Sequence, residues 1–162
     1  MILIALGANL PSPAGPPEKT LKTALRQLAG RSITIVKQSG FYRSAAWPDP
    51  SDPSFVNAVA AVKTDFDPAA LLSVLHQIEA AFGRKRGEPN APRTLDVDLL
   101  DYDGRVEDGP PQLPHPRMDA RAFVLVPLRE VAPAWRHPVS GQSVSDLIEK
   151  LPAGGIERLA SS

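Results

Sequence analysis

The chain opens on an unbroken apolar run, Ile2 to Leu6, closed by Gly7, the pattern of a strand covered on both faces. Pro16 and Pro17 suit the first turn of a helix in which Leu21, Leu25 and Leu28 recur at helical spacing until Gly30. From Ser32 to Tyr42, β-branched and aromatic residues predict a second strand broken by Gly40, and a Pro/Asp/Ser loop follows at 48–54. Phe55 to Thr64 reads as a third strand. Its even positions, Val56, Ala58, Ala60 and Val62, are all apolar and form the core face, which leaves Phe55 and Asn57 on the other. Asp67 is a good N-cap with Pro68 behind it, and Leu71, Leu75, Ile78 and Phe82 repeat at 3.6 spacing before Gly83. Residues 92–104, PRTLDVDLLDYDG, supply a fourth strand. Beyond it, Asp119 to Val131 predicts a helix kinked at Pro127, and Ser143 to Leu151 a short amphipathic helix.

The order βαββαβ predicts an α+β fold of ferredoxin-like type, an antiparallel sheet with two helices on one face and a C-terminal helical extension. The other face is then left for function. A length of 162 residues fits a single domain, 1–162, which can bury about 70% of the surface its unfolded chain exposes. The 18 prolines cluster between the predicted elements and mark loops. Lys and Arg number 18 and so do Asp and Glu, so no global field favours nucleic acid or an anionic membrane. With no Cys there is no disulfide, thiolate metal site or Cys nucleophile. The opening MILIALG lacks a basic n-region and is too short for a signal or a membrane span, and a cytoplasmic protein is expected.

The fourth strand carries the chemistry. Thr94, Asp96 and Asp98 point one way while Leu95, Val97 and Leu99 point the other. Two residues of strand span roughly 6.6 Å, so the two carboxylates converge on one volume, which is unfavourable unless something positive occupies it. A solvated acidic edge is the plainer reading of an isolated D-x-D. Just upstream, however, GRKRGEPNAPR (83–93) places Arg84, Lys85, Arg86 and Arg93 in a Gly- and Pro-containing loop. Cations leading into two carboxylates on one sheet face suggest a polyphosphate gripped by arginines, with Mg²⁺ bridging it to Asp96 and Asp98. Neither G-x-x-x-x-G-K-[ST] nor G-x-G-x-x-G is present, so side chains must hold the phosphates.

Phe55 and Asn57 share a face and offer a flat apolar surface beside an amide, which suits a planar heterocycle with amide-like edges. Phe55 and Phe123 also read as ordinary core residues. His115 lies in PHPR, near Arg117 and Arg121, and could contact phosphate; Glu79 sits at the border of its helix's apolar stripe, where it could orient an arginine or meet a sugar hydroxyl. Three histidines without H-E-x-x-H make zinc a poor fit, and there is no G-x-S-x-G. Two other classes stay open at this point. One is a ferredoxin-like RNA-binding module, although the aromatic stacking motif and basic surface it needs are missing. The other is a Mg²⁺-dependent nucleotide hydrolase, which two carboxylates and arginines would serve equally well.

LGANL (6–10), FYRS (41–44), FVNAV (55–59), the run from IEAAFGRKR to PRTLDVDLL (78–100) and LPHPRMDARAFVLVPL (113–128) closely resemble hydroxymethyl-dihydropterin pyrophosphokinase of folate biosynthesis. The resemblance covers roughly residues 2–133. It implies transfer of diphosphate from ATP to the hydroxymethyl group of 6-hydroxymethyl-7,8-dihydropterin, releasing AMP. It further implies two Mg²⁺ ions on Asp96 and Asp98, with Arg84 and Arg93 on the transferring phosphates and Arg86 in the same loop. Glu79, His115 and Arg121 would help hold ATP; the pterin would lie between Phe55 and Phe123, with Asn57 on its edge and Ser44 nearby. ATP and the dihydropterin are the expected partners of a monomer, with no nucleic acid and no membrane. The chain departs from the family pattern at Ala45 and Ala46, at GPPQ (109–112) and at Asn90.

Overall fold

The computed structural model describes residues 1–45, 54–83, 94–152 and 154–160. β1 (Ile2–Ala8) is buried at every position and lies between two antiparallel neighbours, β4 (Phe55–Lys63) and β5 (Asp96–Tyr102). Its even residues, Ile2, Ile4 and Leu6, join Val56, Ala58, Ala60 and Val62 of β4 in one apolar layer under two helices, α1 (Pro17–Ala29) and α2 (Pro68–Ala81). Leu21, Leu25, Leu28, Leu71, Leu75 and Ile78 are the helical half of that layer, each contributing about 1.5–3 kcal/mol if fully withdrawn from water. α2 starts where the sequence predicts, with the Asp67 carboxylate accepting from the Ala70 N–H at 2.8 Å.

The predicted second strand is two strands. β2 (Thr34–Gln38) and β3 (Tyr42–Ser44) both pair with β4, but the register slips by one residue between Gln38↔Ala60 and Tyr42↔Asn57. Ser39 fills the slip: its N–H donates to the Val59 carbonyl at 2.9 Å and its hydroxyl accepts from the Val59 N–H at 3.0 Å. Beyond β3 the sheet is completed by β8 (Ile156–Arg158), giving the order β5-β1-β4-β3-β8. β8 and a two-stranded ribbon of β6 (Glu107–Asp108) and β7 (Gln112–Leu113) have no counterpart in the sequence reading. Strands of two or three residues carry no periodicity to read.

Gly7 also corrects an expectation. It does not end the first strand but sits inside it, paired with Asn57 on one side and Asp96 on the other. The second sheet face, expected to be open, is divided. α3 (Ala122–Val131), preceded by a 3₁₀ turn at Met118–Ala120, and α4 (Val144–Glu149) cover one half, where Leu3, Val59, Ala61 and Leu100 pack against Val124, Leu125, Leu128 and Leu147. Those four sheet residues would form an exposed apolar patch if nothing covered them. The other half of the face remains open above Ala5 and Gly7.

β5 carries a third carboxylate, and it goes elsewhere. A bulge at Leu100 shifts the register, and buried Asp101 accepts from the Trp135 Nε1–H at 2.9 Å and the Gly104 N–H at 3.1 Å. Replacing Trp135 with phenylalanine should leave a buried carboxylate oxygen without its donor and cost about 1–3 kcal/mol in a urea melt.

Candidate active site

Pairing across three strands makes two rows on the open half of the sheet, Asn57–Gly7–Asp96 and Val59–Ala5–Asp98. Residues in one row project side by side, and with strands about 4.8 Å apart the Asn57 and Asp96 backbones stand roughly 10 Å from each other. The middle member of each row is small. Gly7 and Ala5 therefore form the floor of a cavity of about 800 Å³, and a Cβ added at Gly7 would lie 3.2 Å from Asn57 Oδ1 and 3.9 Å from the Phe55 ring.

Phe55 and Phe123 line this cavity together with Asn57, Asp96 and Asp98, and Arg117 and Arg121 line it from the α3 side. The Asn57 amide is fixed by donating from Nδ2 to the Ser44 hydroxyl at 2.8 Å, both residues being buried. Its Oδ1 is left over Gly7, facing the floor. The Arg121 guanidinium lies 5.5 Å from the Phe123 ring centroid, within cation–π range. Thus Phe55 and Asn57, 41 and 39 residues before Asp96, and Phe123, 27 residues after it, share one space with the acids.

At the acidic end, burial pushes the Asp98 carboxyl up to about 8, and the charge and hydrogen bond of Asp96 push in the same direction; Arg121 pulls it down and Glu79 adds to the rise. Between the ordinary carboxylate range and about 8 the folded protein holds a proton that the unfolded chain has lost. Stability of the metal-free protein therefore falls as pH rises through that window. His115 runs the other way. Burial and the charge of Arg121 lower it to about 4, so its contribution is complete above the ordinary histidine range. Melting temperatures of EDTA-treated protein should consequently fall between about pH 6.5, above which His115 no longer opposes the trend, and about pH 8, and the fall should vanish in Asp98→Asn; a flat wild-type profile would contradict the acid pair.

Among the described residues no cluster of three or more His, Asp or Glu side chains is arranged to hold a metal. Two hard oxygen donors close enough to share a proton nevertheless fit Mg²⁺, which takes one or two carboxylates and completes its octahedron with water and substrate phosphate. The excess negative charge at Asp96 and Asp98 is what a divalent cation would neutralise.

Three of the described candidates do not line the cavity: Glu79, His115, and Ser44, which reaches it only through Asn57. Glu79 is buried at 3% exposure on α2, and its Oε2 accepts from the Val97 N–H at 2.9 Å. The His115 N–H donates to the Leu100 carbonyl at 2.8 Å, and its Nδ1 accepts from the Arg117 N–H at 3.2 Å, leaving a neutral ring with its proton on Nε2. Glu79 and His115 both serve the outer edge of β5, which has no strand partner on that side among the described residues. Arg84, Arg86 and Arg93 lie outside the described residues. Ala5, Gly7 and Arg117 line the cavity without having been singled out. A signal for the floor was available: the odd positions of β1 shrink from Leu3 to Ala5 to Gly7 while the even ones stay large.

A cavity of this volume, ringed at one end and acidic at the other, defines a small-molecule site built on an antiparallel α/β sheet. Residues 3–133 match the model of the 7,8-dihydro-6-hydroxymethylpterin-pyrophosphokinase family, and the chain belongs to that family. It is 40% identical over 151 residues to the 2-amino-4-hydroxy-6-hydroxymethyldihydropteridine pyrophosphokinase of Synechocystis, covering 92% of this chain and 75% of the relative. The enzyme of the same name from Methylorubrum extorquens is 39% identical over 158 residues, 96% of both chains. Among solved structures, the Plasmodium falciparum HPPK-DHPS with pteroate superposes with a TM-score of 0.69 at 13% identity, over 92% of this chain and 42% of that one, a likeness of fold. Family membership makes the protein a pyrophosphokinase of the hydroxymethyldihydropterin in folate synthesis, with ATP as co-substrate.

Proposed function

We propose that the cavity is the active site, that the pterin ring lies between Phe55 and Phe123 over the Gly7 floor, and that Asp96 and Asp98 hold two Mg²⁺ ions at the triphosphate end. The observation that carries this reading is that both acids, both rings and Asn57 line one cavity. Asn57, oriented by Ser44, offers its amide to the polar edge of the heterocycle. The hydroxymethyl oxygen attacks the β-phosphorus of ATP, the bond from that phosphorus to the oxygen shared with the α-phosphate breaks, and AMP departs. The alcohol's proton leaves with water or the phosphates, and no strong general base is required. Magnesium, when bound, would neutralise charge on the transferring oxygens and orient them.

The chain's own part is alignment. Stacking fixes the plane of the alcohol, and Arg121, with Arg84, Arg86 and Arg93, fixes the triphosphate; aligned reactants alone can contribute about 7–11 kcal/mol. Glu79 and His115 act on ATP by setting the edge of β5, and the neutral His115 Nε2–H is a donor suited to a nucleotide acceptor.

The strand order, with the first and third strands central, supports the ferredoxin-like arrangement, extended by α3, α4 and β8. Residues 1–162 form one pyrophosphokinase domain, acting as a cytoplasmic monomer. No described helix is long and apolar enough to cross a membrane.

Incubation with ATP and Mg²⁺ should yield AMP in step with pterin diphosphate, and AMP only when the pterin is present. Release of ADP or phosphate from ATP alone would favour a hydrolase instead. Phe55→Ala should weaken dihydropterin binding by about 0.5–1.5 kcal/mol beyond the lost contact area, read by calorimetry. Unchanged affinity would remove Phe55 from the slot.

A further inference from the structure

Glu130, in the last turn of α3, is met by donors from three residues on two separate segments. The Tyr42 hydroxyl donates to Oε1 at 2.5 Å and the Gly40 N–H to Oε2 at 3.0 Å. The Arg158 guanidinium reaches both oxygens, Nε to Oε1 at 3.3 Å and Nη2 to Oε2 at 3.1 Å. Burial pushes this carboxyl up, but the hydrogen bonds of Arg158, Tyr42 and Gly40 outweigh it and hold it below the usual range. The joint is thus charged at neutral pH, and its hydrogen bonds are of the stronger, charge-assisted kind.

Gly40 leaves the room that the half-exposed Arg158 side chain takes. Its φ lies outside the left-handed region, so its backbone conformation is open to other residues, yet a Cβ there would stand 2.6 Å from Arg158 Nη2 and 2.8 Å from Cζ. The guanidinium occupies the space a side chain would take, and Glu130 keeps it there.

What the joint connects is informative. α3 begins beside Phe123, and β3 ends at Ser44, the residue that orients Asn57. β8 runs along the outer edge of β3 through Tyr42↔Arg158, Arg43↔Glu157 and Ser44↔Ile156. β3 is only three residues long, and without β8 that edge would be bare. We infer that the C-terminal strand is a strap that sets the separation between the Phe123 helix and the Ser44 strand, and that Arg158 is a positioning residue for the flat bicyclic alcohol although it does not line the cavity. Arg158 lies beyond the segment that matches the family model. The inference rests on the ring-slot reading above and adds what holds that slot at its width.

Steady-state kinetics with both substrates test it. Arg158→Ala should raise KM for the dihydropterin about tenfold, less than the ~100-fold that a full 1 Å misplacement can cost, with kcat and KM for ATP changed by less than about twofold. Arg158→Lys, which keeps the charge but loses the fork, should recover part of the loss. Gly40→Ala, which evicts the guanidinium from the other side, should reproduce the effect and carries the test if Arg158→Ala does not fold. Unchanged pterin KM in Gly40→Ala, or equal rises in both KM values, would overturn the strap. Phe55→Ala, run in parallel, separates the two failures: if it weakens pterin binding while Arg158→Ala and Gly40→Ala do not, only the strap falls, whereas no effect in any of the three removes the slot itself.

Discussion

Replacing Asp98 with asparagine is expected to lower kcat about 100- to 1,000-fold, the scale of losing one preorganised electrostatic partner of a developing charge. Shape is nearly conserved, so the loss would come from charge alone. A second signature accompanies it. Because the Asp98 carboxyl is raised to about 8 by burial and by Asp96, the metal-free wild type is penalised as that group ionises. The asparagine variant escapes the penalty and should melt higher than wild type at pH 8.5 in EDTA. Catalysis and stability thus move in opposite directions. A residue that served only the fold would lose both together, and an exposed acid would change neither.

Filling the floor is the second large effect. Gly7→Val keeps a backbone conformation open to any residue but puts a branched side chain between Asn57 and Asp96, starting from a Cβ 3.2 Å from Asn57 Oδ1. Overpacking of this kind costs about 1–3 kcal/mol, which corresponds to a loss of pterin affinity on the order of 10- to 100-fold. The added side chain would enter the cavity rather than the packed core, so the melting temperature should change far less than the affinity does. Calorimetric titration with the dihydropterin would show it, and wild-type affinity in the valine variant would mean that the ring does not lie over β1.

Much of this could be read in the sequence, for identifiable reasons. The βαββαβ order follows from two kinds of period, and the cap at Asp67 marks a helix start that side-chain chemistry dictates. The acid pair was legible because D-x-D in a strand forces both carboxylates onto one face, and the alternation of β4 sent Phe55 and Asn57 to the same side. Period says nothing of what crosses between elements. The floor at Gly7 depends on pairing with two strands at once, and a glycine within an apolar run looks like an end when its neighbours are unknown. The same limit hid the half-covered face, where α3 meets Leu3, Val59 and Leu100 from three different strands. It also hid the joint at Glu130, whose partners lie 88 and 90 residues before it and 28 after. Glu79 was seen as a border acid of its helix; only the tertiary fold reveals that it caps the free edge of the very strand that carries the acids.

The account turns on magnesium being held by the paired carboxylates against ATP. Mn²⁺ binding, followed by electron paramagnetic resonance in the complex with a non-hydrolysable ATP analogue, tests this most directly. Wild type should retain two ions per chain, and Asp96→Asn/Asp98→Asn should retain fewer, with weaker affinity. The same number of ions, held equally tightly by both proteins, would contradict it.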